Sequence, residues 1–238
     1  MLRGRGVRMI GGASRRPVMF QGATSGKWSM SGRPRENRYF RAVRRLLNRE
    51  RGESKTTALL DSAHAHHDSL IDNLPPYRSR AERMAYELGA FGLALFRALR
   101  EEGLQQETAI DEVARLVWEP LKVIGSIVSL YKHTPIPMML WKATVKLDAN
   151  TIQGPPAWEY AWLGSSDEFD FGFNVTYCAF WEYFKQMGAP EVGRAYCQGD
   201  NYIAEHLAPA VEFGRTKTLA TGGDCCDFRF CRGGATDS

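Results

Sequence analysis

The residue types best suited to covalent chemistry sit in the last third of the chain. Cysteines stand at 178, 197, 225, 226 and 231, with Asp200, Arg215, Asp227 and Arg229 among them. A thiol becomes a nucleophile when it loses its proton, so it needs an acid/base group in reach and surroundings that favour the thiolate. A carboxylate can take and return that proton, and an arginine can hold an anionic substrate group. Asp200 follows Cys197 by three residues, so the two share a face of any helix that runs through Gly199.

Strand geometry limits the combinations. In an extended run from Cys226 to Cys231, Cys226, Phe228 and Phe230 take one face, while Cys225, Asp227, Arg229 and Cys231 take the other. Asp227 is therefore badly placed to activate its neighbour Cys226, and Cys197 with Asp200 is the better source of partners. Each residue also has a purely structural reading. Cys226 can be a core thiol beside two phenylalanines. Asp227 and Arg229 can form an ion pair on an exposed sheet face. Arg215, in a strand where Val211 and Phe213 share its face, turns inward and needs an anion, either Asp200 or a substrate carboxylate.

Two groupings have metal-ligand types. His64, His67 and Asp68 fall on one helical face, and Cys178, Cys197, Cys226 and His206 make a Cys₃His count. Neither has a diagnostic spacing such as H-E-x-x-H, so no metal and no cofactor is expected. No G-x-G-x-x-G, P-loop or G-x-S-x-G motif occurs, which leaves nucleotide-dependent and serine-hydrolase chemistry without support.

The elements that must position these residues divide the chain in two. The first part is helical by period. Asn37 to Glu50 has Tyr39, Phe40, Val43, Leu46 and Leu47 on one side, and Thr56 to Ile71 stops before Leu74-Pro75-Pro76. Ser79 to Glu101 has Ser79 as cap, Glu82 three residues on and Gly103 past its end, with Ala85, Gly89 and Gly92 on a small-residue face. Thr108 to Lys132 follows with a break at Pro120, then a 133–137 linker and a short helical piece from Leu140 to Val145.

The second part changes to period two. Trp158, Tyr160 and Trp162 alternate with polar or small residues, as do Phe169, Phe171, Phe173 and Val175 after a turn, which predicts a hairpin. Its aromatics read as core, or as the wall of a pocket for a flat ring. Helices are expected from Tyr177 to Met187 and from Pro190 toward His206. Strands are expected from Val211 to Leu219 and from Cys226 to Cys231, joined by a tight turn at 221–224. The fold class is α+β, a helical N-terminal layer packed on a small antiparallel sheet of about four strands.

Bulk properties bound the partners. A chain of 238 residues, 44% hydrophobic and 24% charged, reads as a soluble globule with a sizeable core. No apolar run is long enough to span a bilayer, so no membrane partner is expected. Residues 1–35 hold eight basic and no acidic residues; the other 23 basic residues are outnumbered by all 27 acidic ones. The net charge of +4 thus belongs to the tail, and no nucleic-acid partner is expected. The tail reads as disordered or transit-like, residues 36–232 as one α+β domain, and 233–238 as a loose end. The odd cysteine count and the adjacent pair argue against a secreted disulfide framework, so the expected location is cytoplasmic.

From Phe171 onward, Cys178, Cys197-x-x-Asp200, the Arg215-Thr216-x-Thr218 run, Gly222-Gly223 and Cys226-Asp227-Phe228-Arg229 resemble the L-2-amino-thiazoline-4-carboxylic acid hydrolase family. Helical pattern alone agrees from Tyr86 to Val145. The arrangement also resembles, at the level of fold, the 4-vinyl-reductase-type small-molecule-binding domains. The family resemblance implies opening of a small cyclic amidine by water, with a thiol required and a carboxylate-bearing small molecule as substrate. In that reading Cys226 is the nucleophile, with Cys197 its rival. Asp200 and Asp227 are the acid/base candidates; Arg215, Arg229, Thr216, Thr218 and Cys178 contact substrate. The alternatives are a non-catalytic module binding a small molecule or zinc, and a biosynthetic cyclisation or dehydration on the same scaffold. The sequence does not choose an oligomeric state.

Overall fold

The structure, a computed structural model, describes residues 38–119 and 122–233. The basic N-terminal segment, the expected break at Pro120 and the end from 234 lie outside the described residues.

Eight α-helices and four strands are formed among them. The N-terminal layer is α1 (Arg38–Arg51), α2 (Glu53–Asp72), α3 (Arg80–Glu101) and α4 (Gln106–Trp118). The apolar stripe of α1 buries Phe40, Val43 and Leu47. In α3 the Ser79 hydroxyl accepts the Glu82 N–H at 3.1 Å, satisfying one of the donors a helix start leaves open, and Gly103 (φ 92°) lies past the end. The small-residue face of α3 admits rings: a Cβ at Gly89 would come within 2.6 Å of Tyr183, and one at Gly92 would strike Tyr196.

Glu82, three residues past the cap, is 1% exposed. Its carboxylate accepts from the Arg78 guanidinium (2.8 Å), the Arg78 N–H and the Tyr177 hydroxyl (2.7 Å), while Arg78 also donates to the Pro156 carbonyl. The network ties the start of α3 to the end of the hairpin. Burial works to raise the Glu82 pKa, but the bonds from Arg78 and Tyr177 outweigh it and hold the group below its ordinary 4.5. This support is present above the unfolded value and is lost as pH falls through the lowered folded one. Glu82→Ala removes the acceptor of the Tyr177 hydroxyl and of the Arg78 N–H and guanidinium. It should cost about 2–3 kcal/mol, read as a melting temperature lower by about 5–10 °C.

Next come α5 (Lys122–Val128), a 3₁₀ turn over Ser129–His133, and α6 (Pro137–Thr151). The expected short piece from Leu140 to Val145 is a helix of 15 residues, because Pro137 starts it. A proline there lacks an N–H that would have had no partner in any case. Of α6 only Ala149 is buried, and its outer side leaves Met139 and Leu147 exposed.

The sheet is β1 (Trp158–Leu163), β2 (Phe171–Cys178), β3 (Val211–Gly214) and β4 (Cys226–Arg232), antiparallel throughout in the order β1-β2-β4-β3. The helices α7 (Ala179–Gln186) and α8 (Gly193–Leu207) lie between β2 and β3 in the chain. Register makes rows across one face: Tyr160–Val175–Cys226, then Trp162–Phe173–Phe228, then Phe171–Phe230–Phe213. α6 crosses this aromatic face, with Trp141 against Phe230, Lys142 over Phe171 and Lys146 over Trp162. α8 packs against β3.

The strand expected to reach Leu219 stops at Gly214, and the link to β4 is longer than the expected tight turn. The Thr216 and Lys217 N–H groups bond to the Asp227 side chain, at 3.0 and 2.8 Å, and this draws the chain off the sheet edge. Thr218 then caps a 3₁₀ turn over Leu219–Thr221, which Gly222 ends at φ 87°.

Candidate active site

α8, α4 and the segment after β3 border a crevice lined by Cys197, Arg215 and Thr218, and the charges of Cys178 and Cys226 bear on Cys197. α8 continues through Gly199, so Cys197 and Asp200 share a face. Glycine is required there because a Cβ at 199 would run into the Trp118 indole, whose Nε1–H donates to the Ala195 carbonyl at 3.1 Å. Gly199→Ala gains about 1 kcal/mol of helix propensity and loses more by overpacking, for a net cost of about 1–2 kcal/mol. A lower melting temperature and a changed Trp fluorescence would register it; an unchanged melt would contradict it.

Arg215, one residue beyond β3, lies over Phe228 and Phe213 at 5.5 and 5.7 Å, and its side chain is 9% exposed. It donates to Asp200 at 2.5 Å and to the Cys197 carbonyl at 3.1 Å. The Asp200 side chain keeps 42% of its surface open, so a small molecule can reach it. Burial drives its pKa up to about 6 against the opposing pull of Arg215.

Cys178 ends β2, Cys226 opens β4, and Cys197 is on α8; all three are free thiols. They act on one another through their charges. Asp200, Cys178, Cys226 and Arg215 all bear on Cys197, while Asp200 and Arg215 bear on Cys226. Burial raises every one of these thiols, Cys178 to about 12. None is therefore a resting thiolate at neutral pH, contrary to the lowered pKa that a self-activated nucleophile needs. Cys226 is 6% exposed, and its Sγ accepts the Leu219 N–H at 3.3 Å, a contact that favours the thiolate.

Burial raises the Tyr160 phenol, and the charges of Asp148, Cys178 and Asp200 add to it. Period-two alternation marks Tyr160 only as a wall, and Asp148 gives no motif. The available signal is that Asp148 is the first acidic residue after Glu119 and lies seven past Trp141 on one helical stripe.

A cavity of about 200 Å³ opens beside Cys197, lined also by Arg215, Thr218, Thr221, Asn201 and Arg194. It suits a small ring better than a drug-sized ligand. A larger open cleft of about 990 Å³ runs past Lys132, Met139, Lys142, Asp170 and Arg232. No thiol lines that cleft, so its size does not make it the reactive centre.

Other candidates lie elsewhere. Asp227, 7% exposed, accepts from the Thr216 N–H, the Thr216 hydroxyl (2.6 Å) and the Lys217 N–H. Burial alone would raise its pKa, but those donors lower it, and its geometry is that of a loop anchor. Thr216 is its partner. Arg229 donates to the Phe173 and Phe228 carbonyls and to Asn174 Oδ1, over the Phe169 ring, so the ion pair with Asp227 is not formed. Cys225 is buried and Cys231 donates to the Glu168 carbonyl. Among the described residues no three of His, Cys, Asp and Glu are placed to hold a metal ion. His64 stacks on Phe40 at 3.8 Å, and His206 Nδ1 contacts the Tyr202 carbonyl of its own helix.

No helix among the described residues is long and apolar enough to cross a membrane. The family model described as L-2-amino-thiazoline-4-carboxylic acid hydrolase matches residues 83–230. That span runs from α3 to β4 and contains every group lining the crevice. Neither the curated proteins nor the solved structures contain a match.

Proposed function

Because the chain belongs to the L-2-amino-thiazoline-4-carboxylic acid hydrolase family, we propose that its crevice opens a small cyclic amidine bearing a carboxylate, with Cys226 as nucleophile. The observation that carries the reading is the Arg215–Asp200 pair set among three thiols on the wall of a partly open crevice.

Arg215 spends N–H groups on Asp200 and on the Cys197 carbonyl, and its fork of five donors leaves others for a substrate carboxylate. The Cys226 thiol is protonated at rest, so its proton must leave as sulfur adds to the amidine carbon. Asp200, pushed up to about 6, is a competent acceptor for that proton. The tetrahedral adduct then breaks its bond to the ring heteroatom, which takes the proton back from Asp200. Water attacks the same carbon and expels the Cys226 sulfur, and the thiol is restored. One water is consumed, its oxygen ending on the former amidine carbon. Thr218 and Cys197 line the approach, and Cys178 bears on Cys197 from the end of β2. Asp227, Thr216 and Arg229 act in this account by holding the 215–221 segment and the sheet in place.

The test is turnover of 2-aminothiazoline-4-carboxylate beside 2-aminothiazoline, which lacks the carboxylate. Wild type should open the acid with the higher kcat/KM, and Arg215→Ala should erase that preference, about 10–100-fold for a charge-assisted pair. A folded wild type that opens neither ring would refute the reading.

A further inference from the structure

The cleft of about 990 Å³ takes no part in the ring-opening chemistry, yet it is the largest opening described. Its walls come from the end of the 3₁₀ turn, the first turns of α6, the residues just before β2 and β3, and the end of β4. These walls are held without a ligand. Thr134 donates its N–H and its hydroxyl to the Tyr131 carbonyl at 3.0 and 2.7 Å. The Tyr131 hydroxyl in turn bonds Thr144 of α6 at 2.9 Å. Pro135, Pro137 and Pro209 fix φ along the rim.

The lining combines apolar surface with unspent positive charge. Ile136 and Met139 line it and stay 42% and 58% exposed. Lys132 and Lys142 line it too, and neither forms an ion pair among the described residues; the Lys142 ammonium sits 5.4 Å from the Phe171 ring centre. The acid in the lining, Asp170, is taken up by Arg232, whose N–H, Nε and terminal nitrogen donate to it at 2.8, 2.9 and 2.6 Å. Between Lys122 and Thr151 the chain carries four lysines, and its single acid, Asp148, does not line the cleft. The unbalanced charge is therefore positive. Its complement is an anion, and the apolar lining selects an anion with an apolar body.

We propose that this cleft is a second binding site, for a soluble anionic amphiphile: an acyl chain or apolar body of similar size that ends in one carboxylate. The head group pairs with Lys132 and Lys142, and the body lies on Ile136 and Met139. The volume falls in the range of small-molecule sites, about 300–1,000 Å³. A second copy of this chain fits less well, because a two-fold contact would bring the lysines of both copies together without an acid to receive them. A bilayer fits less well too, since its flat surface does not fill a concave opening.

The experiment is calorimetric titration of the full chain with three probes. Decanoate, kept below its micelle concentration, carries both features; acetate has the head group alone, and decyltrimethylammonium the chain with the opposite charge. Wild type should bind decanoate at one site, and the other two about tenfold more weakly or worse. Changing Lys132 and Lys142 together to Gln should weaken decanoate by about tenfold. The melting temperature should hold, because both side chains are exposed. Met139→Glu, which sets a like charge on the apolar lining, should weaken it at least as much. Arg215→Ala should bind decanoate as wild type does, which separates this cleft from the cavity beside Cys197. Absence of decanoate binding, equal binding of the cation, or unchanged affinity in the double lysine variant would each overturn the proposal. So would loss of binding in Arg215→Ala, which would place decanoate beside Cys197. Sedimentation with phosphatidylglycerol vesicles by protein that ignores decanoate would assign the face to a bilayer instead.

Discussion

Alanine at position 226 should give a folded protein whose kcat for ring opening falls about a thousandfold, to what positioning by Arg215 and Asp200 sustains without a nucleophile. Removing one buried sulfur leaves a small void and should cost about 1 kcal/mol, a melting shift of about 2–4 °C. Activity and stability therefore separate in this variant. Cys197→Ala serves as the comparison: Cys197 touches the crevice, but in this account it is wall, and its loss should lower kcat about tenfold at most. If the two variants exchange roles, Cys197 is the nucleophile and the floor of the crevice is only packing. Slow alkylation of Cys226 at neutral pH is also expected, because burial holds the thiol protonated until Asp200 takes its proton.

Asp200→Asn is the second large effect. It keeps an oxygen for Arg215 but removes the group that accepts and returns the proton, a loss of about 10²–10⁴ in kcat/KM. The pH profile carries the sign. The addition step needs Asp200 ionised, and its pKa is pushed up to about 6. Wild-type kcat/KM should therefore be level above that value and fall as pH drops through it, while the residual activity of Asp200→Asn shows no such limb. A limb that survives in the variant would assign the titration to another group, with Asp148 the first to test.

Much of the scaffold was legible because it depends on local periods. The stripe of Phe40, Val43 and Leu47, the Ser79 cap with Gly103 past the end of α3, and the alternation through Phe171, Phe173 and Val175 each reappear as read. The spacing of Cys197 and Asp200 was enough to place them together once α8 ran through Gly199. The misreadings have one cause, side chains overriding backbone pattern. Val211 to Leu219 alternates well enough for a strand, but the Asp227 carboxylate captures the N–H groups of Thr216 and Lys217. Pro137 looked like linker and begins a helix. The environment of the crevice was not legible at all. The pull of burial against Arg215 on Asp200, and the raised thiols, arise from helices that approach over the sheet, and no spacing encodes that.

Hydrolysis is the central claim, and isotope tracing reaches it most directly. The wild-type protein is incubated at neutral pH in ¹⁸O-labelled water with 2-aminothiazoline-4-carboxylate carrying ¹³C at the amidine carbon. The account predicts that this carbon becomes a carbonyl carrying one ¹⁸O, with the ring open. Consumption of the substrate without ¹⁸O at that carbon, or no consumption by folded protein in excess, would contradict it.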